Sequence, residues 1–260
     1  MAGSIALITG ASSGIGKACA YLFAQHGINL IITARRLERL LEIQEEIKKL
    51  YSVDVLPIKL DVRKRKDVFE ALTNLPDRFK DVDILINNAG LSKGLDPIHE
   101  GNVDDWETMI DTNIKGLLYV TRAILPGMVK RNRGTVVNVA SIAAHETYPG
   151  GNVYCATKAF VLQLSKAMRM DLLGTNVRVI SVDPGMVETE FSIVRFNGDV
   201  ERAKEVYEGL RPLTADDIAK TIYMAISMPD HVTLEDIVVM PTDQASVLLN
   251  IKHLKDQSDR

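Results

Sequence analysis

A chain of 260 residues can fold one α/β domain around a sizeable core without covalent staples. Its residues are 46% apolar and 25% charged, as in globular proteins, and a formal net charge of −3 argues against binding nucleic acid or an anionic membrane through an overall basic field. The two cysteines, Cys19 and Cys155, are far apart and form no CxxC pair, which argues against a disulfide framework or zinc site and for a reducing compartment. No apolar run approaches the roughly 18 residues that span a bilayer. Met1-Ala2-Gly3-Ser4 lacks the charged start of a secretion signal, so the expected location is the cytoplasm.

In chain order, Ile5–Thr9 predicts a strand, Gly14–His26 a helix and Asn29–Thr33 a second strand. Leu37, Leu40, Leu41, Ile47 and Leu50 then fall on one face at helical spacing. Further strands are expected at Val53–Leu60, Ile84–Asn87, Thr135–Val139, Val177–Val182 and Ile237–Met240. Helices are expected across Lys64–Leu75, Asp104–Lys130, Asn152–Leu173 and Thr214–Ser227. Several strands are almost wholly apolar, which suits strands covered on both faces of a parallel sheet. Strands alternating with helices imply βαβ units with right-handed crossovers. The expected fold class is α/β: one doubly wound parallel sheet of about seven strands, helices on both faces, and a single domain over residues 1–260. Ligands of such sheets lie beyond the carboxyl ends of the strands.

The first strand ends in Thr9-Gly10-Ala11-Ser12-Ser13-Gly14-Ile15-Gly16 and opens a helix. Gly10 permits a tight turn, Gly14 a close approach of backbone to a pyrophosphate, and Gly16 close packing of helix on strand. Free amides at the helix start supply partial positive charge for phosphate. Alone, such a loop also reads as an ordinary βα turn rich in small residues. After the second strand, where an acid would hold the ribose hydroxyls of NAD, the chain has Thr33-Ala34-Arg35-Arg36. Arginine suits a 2′-phosphate, so Arg35 and Arg36 favour NADP over NAD, the alternative being two solvated residues at a helix start.

Tyr154 and Lys158 stand four apart on a helix and so share a face. A phenol is a poor base at neutral pH, and a neighbouring ammonium lowers its pKa. Tyr154 could then exchange a proton with a substrate hydroxyl, whereas the pattern alone also fits a packed tyrosine beside a solvated lysine. Ser141 follows the strand ending at Ala140 and could hydrogen-bond the reacting oxygen. Asn113 lies inside a long helix, where asparagine is a mediocre residue unless its amide has a specific partner.

Together these motifs resemble the short-chain dehydrogenase/reductases, along essentially the whole chain. The matching residues are Gly10, Gly14 and Gly16, Asp61-Val62, Asn87-Asn88-Ala89-Gly90, Asn113, Ser141, Tyr154 with Lys158, and Pro184-Gly185. The resemblance implies a Rossmann-type fold and a nicotinamide cofactor, with no metal in catalysis. Asp61 and Val62 would contact adenine, and Asn87 to Gly90 would border the cofactor. Pro184, Gly185, Val187 and Thr189 would line the nicotinamide, with Lys158 on its ribose. Asn113 would hold a water that links Lys158 to solvent. Such helices pair between subunits in this family, which implies a homotetramer.

Asp105 to Asn113, Gly150 to Tyr154, Asp183 to Ser192 and Val194-Arg195-Phe196 are similar to the narrower group of NADP-dependent 3-hydroxy acid dehydrogenases. That group implies L-allo-threonine, serine or 3-hydroxypropionate-type substrates, or the matching carbonyls. Reduction of small aldehydes such as sulfoacetaldehyde or a semialdehyde is the enzymatic alternative, and a non-catalytic NADP(H) sensor the remote one. A substrate lid is expected at about residues 186–211. Within it Arg195 would grip a carboxylate or sulfonate, or else form a surface salt bridge. Tyr148, and His145 near it, would edge the pocket or simply pack the loop.

Overall fold

The structure is a computed structural model and describes residues 1–253. Its seven strands are β1 (Ile5–Thr9), β2 (Asn29–Ala34), β3 (Val55–Lys59), β4 (Ile84–Asn87), β5 (Gly134–Val139), β6 (Val177–Pro184) and β7 (Asp236–Val239). They form one parallel sheet in the order β3-β2-β1-β4-β5-β6-β7. The chain reverses its winding between β1 and β4, so the carboxyl ends of these strands open a crevice there.

Side chains alternate across each strand and thereby build two cores. Ala6 and Ile8 of β1 face a core shared with α1 (Gly14–Gln25), α2 (Leu37–Leu50) and α9 (Ala215–Ile226), including Phe23, Leu40 and Ile222. Ile5 and Leu7 face the opposite core, with α3 (Arg65–Thr73), α5 (Leu117–Arg131) and α6 (Asn152–Asp171), including Leu72, Ile124 and Met168. Thr214 and Asp217 form a reciprocal capping box that starts α9, which satisfies two otherwise orphaned donors. Among the described residues, no helix is long and apolar enough to cross a membrane.

Boundaries differ from expectation by at most two residues, as frayed ends do. The strand expected at Val53–Leu60 is Val55–Lys59, and the helix expected at Lys64–Leu75 is Arg65–Thr73. The helix expected as one piece from Asp104 to Lys130 is α4 (Val103–Ile110), a π turn at Asp111–Gly116, and then α5. At Gly116 a Cβ would stand 2.6 Å from Val62 Cγ2, so the widened turn brings bare backbone against the end of the β3 loop. Short helices α7 (Phe191–Arg195) and α8 (Val200–Glu205) occupy the segment after β6.

Candidate active site

β1 delivers Gly10 at φ +67 and Gly14 at φ +53 into the first turn of α1. Ser13 stands at the N-cap but its side chain makes no capping bond, which leaves the positive end of the helix open to an anion. Asn88 braces this loop, its amide donating to Thr9 O at 2.9 Å and to Gly10 O at 3.3 Å. Gly16 packs so tightly that a Cβ would meet Asn88 Nδ2 and Gly10 O at 2.6 Å each. It therefore shapes the turn rather than lining the cavity.

A cavity of about 610 Å³ runs from this loop across the strand ends. One end is lined by Ser12, Arg35, Arg36, Asp61 and Val62, the other by Ser141, Tyr148, Tyr154, Lys158 and Arg195. Gly10, Ser13, Gly14, Ile15, Asn88, Ala89, Gly90, Pro184, Gly185, Val187 and Thr189 line the stretch between. At the first end, Arg36 Nη2 donates to Ser12 Oγ at 3.1 Å and Ser13 Oγ at 3.0 Å. Arg35 is exposed. Hydrogen bonds from Arg63 hold the Asp61 carboxyl below the usual carboxylate range, against the opposing effect of burial.

At the other end, Ser141 begins the 3₁₀ turn after β5, its Oγ accepting from Ala143 N at 3.1 Å and lying 3.4 Å from Pro184 O. Tyr154 and Lys158 are 7% and 6% exposed, so both are removed from bulk water. Lys158 Nζ donates to Val139 O at 2.9 Å and lies 5.9 Å from the Tyr154 ring centroid. Burial pushes its pKa down to about 8, against the opposing charge of Asp183.

Burial raises the Tyr154 pKa, and the leading opposing influence is Arg195, followed by the hydrogen bond with Ser141. The lowering expected from the Lys158 ammonium, together with the positive nicotinamide of an oxidised cofactor, is thus opposed by burial. Desolvation outweighs the nearby cations, and the guanidinium of Arg195 stands 5.5 Å from the ring centroid. Arg195 also lies 5.1 Å from the Phe191 centroid and 5.9 Å from that of Tyr148, and its Nη2 donates to Tyr148 OH at 3.1 Å. Its Nε is buried without an acceptor. Among the described residues the hydrogen-bond partner found for the Arg195 side chain is thus the Tyr148 hydroxyl.

Two other expected residues stand back from the cavity. Asn87, the last residue of β4, is buried and donates to Thr121 Oγ1 and Asn138 Oδ1, so its side chain does not border the cofactor space. The strand pleat turns it to the opposite face. Asn113, in the π turn, accepts from Leu91 N and donates to Leu91 O and Thr157 Oγ1, locking the loop after β4 to α6. An added Cβ on Gly90 would sit 3.4 Å from both Asn113 Oδ1 and Lys158 Nζ, so the two groups face a common point.

His145 does more than pack its loop. Its Nε2 meets Asp183 Oδ2 at 2.6 Å and approaches Asp236 Oδ1 at 3.8 Å, joining the turn after Ser141 to β6 and β7. Sequence reasoning missed Glu190, which accepts from Arg36 and Arg39, and Tyr207, whose hydroxyl bonds Ser192 Oγ and Val187 O. No local motif announces either, because their partners lie 151 and 154 residues away for Glu190, and 15 and 20 for Tyr207.

A Gly-rich βα loop, a YxxxK helix and a serine after β5 meeting across a doubly wound parallel sheet define a short-chain dehydrogenase. The model of the short chain dehydrogenase family matches residues 4–198, and the chain belongs to that family. It is 47% identical over 249 residues to the NADP-dependent 3-hydroxy acid dehydrogenase YdfG of Escherichia coli K12, covering 95% of this chain and 98% of that protein. It is 46% identical over 245 residues to serine 3-dehydrogenase of Agrobacterium fabrum, covering 94% and 96%. A solved structure of the closed form of serine dehydrogenase complexed with NADP+ superposes with a TM-score of 0.91 at 45% identity, covering 96% of this chain and all (100%) of that one.

Proposed function

We propose that the protein is an NADP(H)-dependent oxidoreductase that moves a hydride between nicotinamide and a small 3-hydroxy acid or the matching carbonyl. The observation that carries this reading is the continuity of one cavity from the paired arginines to the tyrosine, lysine and serine. The site fits the cofactor on its own terms. The open amino end of α1 offers amides to a pyrophosphate, and Arg35 and Arg36 offer cations to a 2′-phosphate where an acid would repel it. Names of similar proteins agree: YdfG is NADP-dependent, and serine dehydrogenase has been solved with NADP+.

The cofactor supplies the hydride donor or acceptor. Ser141 Oγ holds the reacting oxygen; during oxidation the phenolate oxygen of Tyr154 takes the substrate's hydroxyl proton and becomes the hydroxyl, and during reduction that hydroxyl gives the proton back to the carbonyl oxygen and becomes the phenolate. Lys158, held by Val139 O, keeps positive charge beside that phenol and would bind the cofactor ribose. Asn113 fixes the Leu91 loop and Thr157 around this relay. Asp61 and Val62 would hold the adenine, and Ala89, Gly90, Pro184, Gly185, Val187 and Thr189, which line the same cavity, would hold the nicotinamide half. Residues 186–211 form the lid, and Arg195 with Tyr148 receives the substrate's anionic group, since the buried Nε has an N–H to give.

Initial rates with NADP and a panel of L-allo-threonine, serine and 3-hydroxypropionate, set against NADPH with sulfoacetaldehyde and semialdehydes, test the reading. Turnover of the hydroxy acids that disappears in Tyr154→Phe, with NADPH binding kept, is expected. Cofactor binding without turnover of any panel member would instead make the protein a sensor. A cytoplasmic homotetramer completes the proposal. Its support is the apolar surface on α5 and at the end of α6, where Leu118 and Val129 are partly exposed and Met170 and Leu173 stand out at 79% and 89% exposure.

A further inference from the structure

The segment after β6 is fastened at both ends of the cavity, by arginines at its start and by a tyrosine hydroxyl and a backbone amide at Arg195. At its start, Glu190 accepts from Arg36 Nη1 at 3.0 Å and from Arg39 Nη1 at 2.6 Å. Arg36 reaches Ser12 and Ser13 with its other amino group, so one guanidinium touches both the phosphate loop and this segment. Five residues on, at the last position of α7, Arg195 lies over the Tyr154 ring. The helix between them has five residues and is about 7.5 Å long, with Glu190 at its N-cap and Arg195 at its last position, so one short element joins the two contacts. The far end has its own tie, Gly94 N donating to Arg195 O at 3.1 Å.

We propose that Glu190 is a positioning residue: through it, Arg36, one of the two arginines offered to a cofactor 2′-phosphate, also holds the lid together with Arg39, and so sets Arg195 against the reacting tyrosine. This rests on the NADP(H) reading of the site. Arg36 is a fork with five donors, and its bonds to Glu190 and the two serines point its parts in different directions. It can therefore keep the lid carboxylate while turning toward a phosphate. Arg39 carries the second half of the latch and lies outside the phosphate loop, so the lid is held even where Arg36 is shared. Binding of the phosphate end and placement of the substrate end thus become one event, which neither Arg36 nor Arg195 would produce alone.

Glu190→Gln keeps the shape and removes the charge. In the ligand-free variant, limited proteolysis within residues 186–211 is expected to run at least threefold faster than in the parent. That factor corresponds to about 0.7 kcal/mol, within the range of a partly exposed ion pair. Titration calorimetry with adenosine 2′,5′-bisphosphate is expected to show affinity equal to the parent or tighter, because a carboxylate near the bound anion is gone. With full cofactor, KM for the hydroxy acid is expected to rise threefold to tenfold while kcat changes less. In an Arg36→Ala/Arg39→Ala background, the same substitution should change cleavage by less than 1.5-fold. Unchanged lid cleavage overturns the proposal, as does bisphosphate affinity that falls in step with the rise in KM, which would make Glu190 a part of the phosphate pocket only. Faster cleavage spread over the whole chain, with a lowered Tm, overturns it too. If the parent turns over no hydroxy acid or aldehyde, the functional reading fails, while ligand-free cleavage still decides the latch.

Discussion

Arg195 is surrounded by Tyr148, Tyr154 and Phe191 at 5.1 to 5.9 Å, contacts individually worth about 0.5–2 kcal/mol, yet it leaves a buried N–H unanswered. An unsatisfied donor of that kind costs about 1–3 kcal/mol, which an anionic substrate would recover. Arg195→Ala should therefore lower kcat/KM for a 3-hydroxy acid by about 10- to 100-fold, while a neutral alcohol of similar size loses less than threefold. Steady-state kinetics on the two substrate types decides. A change within twofold on the acid, or equal losses on both, would remove the anion-anchor role. Tyr154, Lys158 and Ser141 could be picked out from the chain because each follows a strand or repeats at helical spacing. The electrostatics around Tyr154 could not, because the depth of burial and the approach of Arg195 from a segment 41 positions later are tertiary facts.

Among the elements, the turn that launches α6 is the most tightly fitted. Gly150 has φ +76, and a Cβ there would fall 2.1 Å from Leu95 O, so both conformation and space require glycine. Gly150→Ala should destabilise the fold by about 2 kcal/mol or more and displace the start of the helix that carries Tyr154, abolishing turnover. Gly174 provides the control. It too has positive φ (+88) but nothing within 4 Å, so Gly174→Ala should cost about 1 kcal/mol and leave kinetics intact. Urea unfolding of both variants beside their rates tests this, and equal effects at the two sites would refute it. Strand and helix positions were readable from apolar periodicity. The π turn at Asp111–Gly116 was not, because one widened turn leaves the pattern of Met109, Leu117 and Val120 superficially helical.

On the scale of the molecule, the parallel doubly wound sheet followed from the strand–helix alternation, but the order of strands and the ties across the cavity did not. Glu190 and Arg36 are 154 residues apart, and nothing local to either reveals the other. The same holds for His145, Asp183 and Asp236, which three elements bring together. Asp183 is fully buried, and burial, then the neighbouring Asp236, push its pKa up to about 6 despite hydrogen bonds from Ser181 and His145. A carboxyl raised in the folded state favours folding most below its unfolded value near 4, and that contribution is lost as pH rises through about 6. Asp183→Asn removes this titration. The stability of the parent minus that of the variant should accordingly be larger at pH 4.5 than at pH 6.5 in urea melts. A difference that grows with pH would show that the charged pair with His145 dominates instead.

The widened turn between α4 and α5 also sets a rule for insertions and deletions. Each residue advances a helix by about 100°, so the extra one at Asp111–Gly116 acts as a phase shifter for everything downstream. Val120, Ile124 and Met128 downstream pack in one core, while Met109 on α4 packs in another. Removing a single residue here would straighten the rod and swing one of its halves away from its core. Length in this stretch is therefore constrained together with the identities of Asn113 and Gly116.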